Sequence, residues 1–181
     1  MEHTYAIGSP ELFTIVDGDR AWRGADQEWY EDGWQRKAGC GPTTASHLVS
    51  YLAEVRPGWT SLYPSHSRRK DDFLALMKEM WTFVTPGRMG VNTLHAFTRG
   101  IEGYAREKGV ELPVRGLDIP AMKAARPSVD QCAAFLRTAG AAADVGEYSR
   151  EPDRWKGAGQ PHDRERDTAH FVDMDDEGRV M

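Results

Sequence analysis

The strongest constraint on this chain is a cysteine set between two glycines and followed at once by a proline: Gly39-Cys40-Gly41-Pro42-Thr43-Thr44-Ala45. Pro42 suits the first turn of a helix, where a missing N–H has no partner to lose. Thr43 or Thr44 is placed to cap nearby backbone donors. Ala45, Leu48, Val49 and Leu52 fall at i, i+3, i+4 and i+7, so the helix is expected to be buried along one side. Pro57-Gly58 stops it near Arg56. Cys40 then sits at the start of a half-buried helix, where free N–H groups and the positive end of the dipole favour a thiolate. The flanking glycines are expected to leave room for a carbonyl to approach the sulfur.

The other elements follow from local signals. Leu12 to Val16 reads as a strand ended by the turn Asp17-Gly18-Asp19. Trp22, Trp29, Tyr30 and Trp34 are read as a lid or wall over the first helix, with a ligand platform as the alternative. Arg68-Arg69-Lys70 precedes Asp71-Asp72 and marks a solvated helix start; either aspartate is placed to cap a helix running to about Val84. Phe73, Met77, Met80, Trp81 and Val84 form its apolar face. A third helix starts near Asn92 or Thr93, buries Leu94, Phe97, Ile101 and Tyr104, and ends at Gly109. Gly100 and Gly103 each weaken it by about 1 kcal/mol relative to alanine, which marks a kink or close packing.

Val110 to Val114 reads as a short strand, on an edge because of Pro113. Ser128 and Gln131 match a capping box, and Val129, Cys132, Ala133 and Leu136 form the apolar face that follows. Cys132 is thus expected to be a small buried hydrophobe. Residues 140–168 are polar, without a strand-like run, and are expected to form a long loop or disordered segment. Ala169 to Met174 offers a short strand.

The 181 residues suffice for one domain with a real core, and 40% are hydrophobic. A net charge of -5 argues against a general nucleic-acid binder. No run reaches the roughly 18 apolar residues of a membrane span. Met1 to Pro10 lacks the basic and apolar regions of a secretory signal, so a cytoplasmic location is the default. Two cysteines are too few for a disulfide framework. No zinc pattern and no phosphate-binding glycine loop is present, so neither metal nor cofactor is expected. Asp173, Asp175, Asp176 and Glu177 form an acidic cluster that reads as a solvated turn rather than a calcium site.

A thiol nucleophile needs a base and a donor for the oxyanion. Gln35, five residues before Cys40, offers a side-chain amide, and His170 opens the late strand. His47 lies two turns along the Cys40 helix, about 10 Å away, too far to act as base. His66 is in a loop, His95 in the third helix, and His162 in the polar segment is the runner-up base.

The segment Gln35 to Leu52, with His170-Phe171-Val172, resembles the papain-like cysteine peptidases. It is most similar to the bacterial branch related to peptidases that remove double-glycine leaders from bacteriocin precursors. The resemblance covers about a tenth of the chain plus the late three-residue echo. It implies an α+β, papain-like fold in a single domain over 1–181, its helical half carrying the nucleophile helix against a small antiparallel sheet. It also implies a peptide or amide substrate, with Cys40 as nucleophile, Gln35 as oxyanion donor and His170 as general base. The chain departs from that family by lacking a recognisable strand before the histidine and by having 11 residues after it. The sheet is therefore expected to be incomplete, completed by another chain, or replaced. The third catalytic residue is then Asp173, Asp175 or none, and Asp173, three residues on, alternates away from His170. A non-catalytic protein binding a peptide or partner in the same cleft, and an amide-forming acyltransferase on the same scaffold, are the competing functions.

Overall fold

The computed structural model describes residues 9–120, 122–138, 143–147 and 168–173. They form a mixed α+β architecture built around one helix. A hairpin comes first: β1 (Thr14–Asp17) pairs antiparallel with β2 (Arg20–Arg23), with Ile15 opposite Trp22. Gly18 turns the corner at φ +58, a region open to glycine without strain. Val16 N–H donates to the Arg68 carbonyl at 2.7 Å and ties the hairpin to the segment ahead of the third helix.

Helix α1 (Gly33–Ala38) and helix α2 (Cys40–Val55) are separated by Gly39 alone. Asp32 caps α1, accepting from the N–H groups of Trp34 at 2.8 Å and Gln35 at 2.9 Å. The cap of α2 is Gly39, without a side-chain bond, so Thr43 and Thr44 lie inside the helix rather than capping it. Nor is α2 buried on one side only. Beyond Ala45, Leu48, Val49 and Leu52, its Ser46, Ser50, Tyr51 and Ala53 are buried as well. The polar members are small and turn inward: Ser46 Oγ donates to the Pro42 carbonyl at 2.8 Å and Ser50 Oγ to that of His47 at 3.1 Å.

Helix α3 (Lys70–Trp81) packs on α2 and on β1. Its cap residue is Arg69. Asp71 and Asp72 occupy the first turn, where they complement the dipole without capping, and the helix stops at Trp81, short of Val84. The basic stretch at its start is ion-paired: Arg68 with Glu54 at 3.0 Å and Lys70 with Asp17 at 2.8 Å. Helix α4 (Leu94–Glu107) begins as expected at Thr93, whose hydroxyl accepts from Ala96 N–H at 3.1 Å. It ends with Gly109 at φ +74. Val110 N–H reaches the Ala105 carbonyl and Gly109 N–H the Arg106 carbonyl, the paired bonds of a left-handed helix stop. Phe97, Ile101 and Tyr104 are buried against Leu62, Met80 and Val84 in one hydrophobic core.

After α4 the expected strand is displaced. Residues 110–114 carry no ladder, and β3 is Arg115–Asp118. Pro113 offers no N–H to a ladder, so pairing begins beyond it. Helix α5 (Val129–Thr138) carries the predicted capping box: Ser128 N–H donates to Gln131 Oε1 at 2.7 Å, and Gln131 N–H to Ser128 Oγ at 3.2 Å. Its expected apolar face is not fully covered, since Val129 is 84% exposed and Cys132 only half-buried.

The segment expected to lack strands contains one, β4 (Ala143–Glu147). It pairs antiparallel with β5 (Thr168–Asp173), which pairs on its other side with β3. The order β3-β5-β4 puts β5 at the centre. Helix α2 packs on β4, α4 on β3 and β5, and α5 on β5. A run of Ala, Asp, Val, Gly and Glu has little strand propensity of its own; pairing with a central strand decides it.

Candidate functional site

The site begins with Tyr30. Its ring is buried, and its hydroxyl donates to the Met77 carbonyl of α3 at 3.0 Å. Burial pushes its pKa up to about 12, with the Thr43 hydroxyl beside it acting the other way. Arg36 holds the chain around this anchor, donating to the carbonyls of Tyr30 at 3.0 Å and Glu31 at 2.7 Å. Gln27 in turn donates to the Arg36 carbonyl at 2.8 Å. Helix α1 is thus tied to the Tyr30 segment in both directions, its Arg36 side chain bonding the backbone ahead of the helix and Gln27 bonding the Arg36 carbonyl.

Cys40 is the first residue of α2 and is exposed. The glycines beside it do not provide open space for substrate. A Cβ at Gly39 would lie 2.6 Å from Tyr30 Cε2, and one at Gly41 would lie 2.5 Å from Val91 Cγ2. The missing side chains admit Tyr30 on one flank and Val91 on the other. What remains free is the Cys40 side chain itself, on a backbone gripped from both sides.

Gln35 lies on α1, half-buried, one helix break before Cys40. His170 lies on β5, with Asp118 of β3 and Val145 of β4 as its Cα partners. Gln35 and Cys40 thus lie on consecutive helices, α1 running into α2, while His170 is one strand further on: α2 packs on β4, and β4 pairs with the strand of His170. Asp173 stands three positions along β5, opposite Arg115. Asp175, Asp176, Glu177 and His162 lie outside the described residues. Asp118, directly across from His170, was not among the residues singled out in the sequence.

The other described histidines are His47, His66 and His95. His47 accepts from Ala25 N–H through Nε2 at 2.7 Å and lies against Phe73, ring centroids 4.8 Å apart. Burial, with a smaller push from Arg68, lowers its pKa to about 4, so it is a neutral structural group. His66 faces Glu54 at 3.1 Å, in a loop as expected, and His95 is exposed on α4. The aromatic group near the N-terminus divides. Trp22 and Trp29 meet edge to face at 5.7 Å as a wall, whereas Trp34, next to Gln35, is 45% exposed. Among the described residues no group of three His, Cys, Asp or Glu side chains converges as a metal site would, and no helix is long and apolar enough to cross a membrane.

Compared with protein-family models, with curated proteins and with solved structures, the chain matches none.

Proposed function

We propose that the protein is a papain-like cysteine peptidase or amidase in which Cys40 attacks an amide carbonyl. The observation that carries this reading is the placement of Cys40: an exposed thiol on the first residue of the central helix, its backbone held by contacts at Gly39 and Gly41. A nucleophile needs access for its side chain and a fixed position for its backbone, and this one has both. The order of elements adds support, since the strand of His170 is central in a sheet that packs on the helical layer.

In this mechanism His170 takes the Cys40 proton and the thiolate adds to the carbonyl carbon. The Gln35 side-chain amide and the Cys40 N–H donate to the resulting oxyanion. The imidazolium returns its proton to the leaving amine as the C–N bond breaks, leaving a thioester on Cys40. Water, deprotonated by His170, then hydrolyses the thioester, releases a carboxylate and restores the thiol.

The test is alkylation by iodoacetamide at neutral pH, mapped by mass spectrometry. Cys40 should react at least about tenfold faster than a free thiol such as glutathione, and His170→Asn should remove that advantage. A Cys40 no faster than glutathione overturns the reading. Product analysis with an added amine separates hydrolysis from amide-forming acyl transfer, which share the acyl-enzyme.

A further inference from the structure

The loop between α3 and α4 is pinned at two points to the glycine that follows Cys40. A Cβ at Gly41 would lie 2.5 Å from Val91 Cγ2 and 3.5 Å from Val84 Cγ1. Between those valines the chain makes a tight turn. Gly87 N–H donates to the Gly90 carbonyl and Gly90 N–H to that of Gly87, each at 3.0 Å, with Gly90 at φ +76. The turn leaves Arg88 and Met89 at its tip, both exposed. Met89 is two Cα steps of about 3.8 Å from Val91, and Cys40 is one such step from Gly41. The tip is therefore tethered beside the exposed thiol.

We propose that Arg88 is a specificity-determining residue that selects peptides carrying a carboxylate side chain close to the scissile amide. The proposal rests on the reading of Cys40 as the nucleophile and names the substrate class for it.

Charge decides the class. Residues 33–53 and 80–101, the two stretches that meet at Gly41, contain no Asp or Glu, in a chain with 28 of them and a net charge of -5. The acids bounding these stretches are engaged elsewhere. Asp32 caps the far end of α1, Glu54 pairs with Arg68 at 3.0 Å, and Glu79 pairs with Lys108 at 2.6 Å; Glu102 lies past the middle of α4. Two cations remain in the stretches themselves, Arg88 on the Gly41 side and Lys37, exposed on the last turn of α1, on the Gly39 side. Neither has a carboxylate partner among the described residues. A guanidinium offers a planar fork of donors that matches a carboxylate, and Met89 beside it offers an adaptable apolar contact for the stem of an acidic side chain.

Iodoacetate and iodoacetamide read this field directly. Each forms a carbon–sulfur bond with the thiolate and expels iodide, and they differ in carrying a carboxylate or a neutral amide. Their rates at Cys40, mapped by mass spectrometry, are compared with those of the neutral thiol N-acetylcysteinamide. At low salt the iodoacetate-to-iodoacetamide ratio should exceed the reference by about threefold, as one unit charge about 7 Å away in water implies, and should fall toward it at high salt. The net charge of the chain pushes the ratio the other way, so an excess has a local source. Arg88→Gln should remove most of the excess, Arg88→Lys should keep most of it, and Arg106→Gln, near the other end of α4, should leave it unmoved. With a pool of synthetic peptides, cuts by the wild type should cluster next to Asp or Glu, and Arg88→Gln should lose that bias. A ratio at or below the reference, a ratio unmoved by Arg88→Gln, or cuts without a bias toward acids overturns the proposal. A raised, Arg88-dependent ratio with an iodoacetamide rate no faster than that of glutathione upholds Arg88 as a carboxylate-binding residue beside Cys40 and removes the peptidase reading instead.

Discussion

His47 makes the stability of this fold depend on pH in a calculable way. The imidazole is enclosed by Phe13, Phe73 and the hairpin, and Nε2 accepts from Ala25 N–H at 2.7 Å. Its pKa is lowered from the ordinary 6.5 to about 4 by burial, with Arg68 pushing the same way. The unfolded chain therefore binds a proton between these two values that the folded chain refuses. Stability from the neutral ring is fully present above pH 6.5 and is lost as pH falls through 4. Linkage gives a loss of about 2 kcal/mol from neutrality to pH 5 and about 3 kcal/mol by pH 4. The perturbation is His47→Gln, whose amide oxygen takes the place of Nε2 as acceptor without titrating. Urea unfolding from pH 7.5 to 4 should show the wild type losing that much more than the variant, since carboxylate contributions are common to both. A wild-type-minus-variant difference that stays constant across the range refutes the reasoning.

Two further expectations concern glycines. On α4, Gly100 and Gly103 should answer alanine with opposite signs: a Cβ at Gly100 would lie 2.7 Å from the Phe83 carbonyl oxygen and 2.6 Å from Val84 Cγ2, whereas the nearest atom to one at Gly103 is Phe83 Cδ1 at 3.7 Å. Thermal melts should place Gly103→Ala above the wild type by about 1 kcal/mol from helix propensity and Gly100→Ala below it by about 1–3 kcal/mol from overpacking; shifts of the same sign would contradict both. Gly41→Ala, driven into Val91, should likewise lose about 1–3 kcal/mol, and Val91→Ala in the same chain should recover part of it; urea midpoints that simply add would show that the two positions do not touch.

The helices were legible in the sequence wherever a signal was local. Thr93 and Gly109 bracket α4, and Ser128 with Gln131 opens α5, because caps satisfy backbone groups within a turn. Of the three-stranded sheet the central strand was legible, expected over Ala169 to Met174 and found at Thr168–Asp173, but its two neighbours were not, for the same reason in reverse. Arg115-Gly116-Leu117-Asp118 and Ala143-Asp144-Val145-Gly146-Glu147 are strands because of what lies beside them, β5 in the middle, and neither has the alternation or the β-branched residues that a local search detects. The apolar alternation of residues 110–114 pointed to a strand a few residues early, in a stretch where Pro113 cannot join a ladder. At the site, Cys40 was legible as the start of a helix, and Gln35 as a nearby amide.

The glycines around Cys40 show how one sequence pattern can serve a function by a different route from the one it suggests. A small residue beside a nucleophile reads as access for substrate. Here the space beside both is filled by the protein itself: the Gln35 carbonyl and an aromatic ring anchored to α3 at Gly39, and a valine from the loop before α4 at Gly41. The effect on Cys40 is to hold its backbone without enclosing its sulfur. Because Tyr30 is fixed through the Met77 carbonyl and α2 is buried around most of its circumference, rotation of the first turn would have to disturb two core contacts at once. Rigidity of that kind is what a reacting group requires, since a misplacement of about 1 Å is enough to lose much of the benefit of proximity. The same rigidity makes the position sensitive: the residues that place Cys40 are its neighbours, and substitution of either glycine should disturb the thiol's setting while leaving its chemistry unchanged.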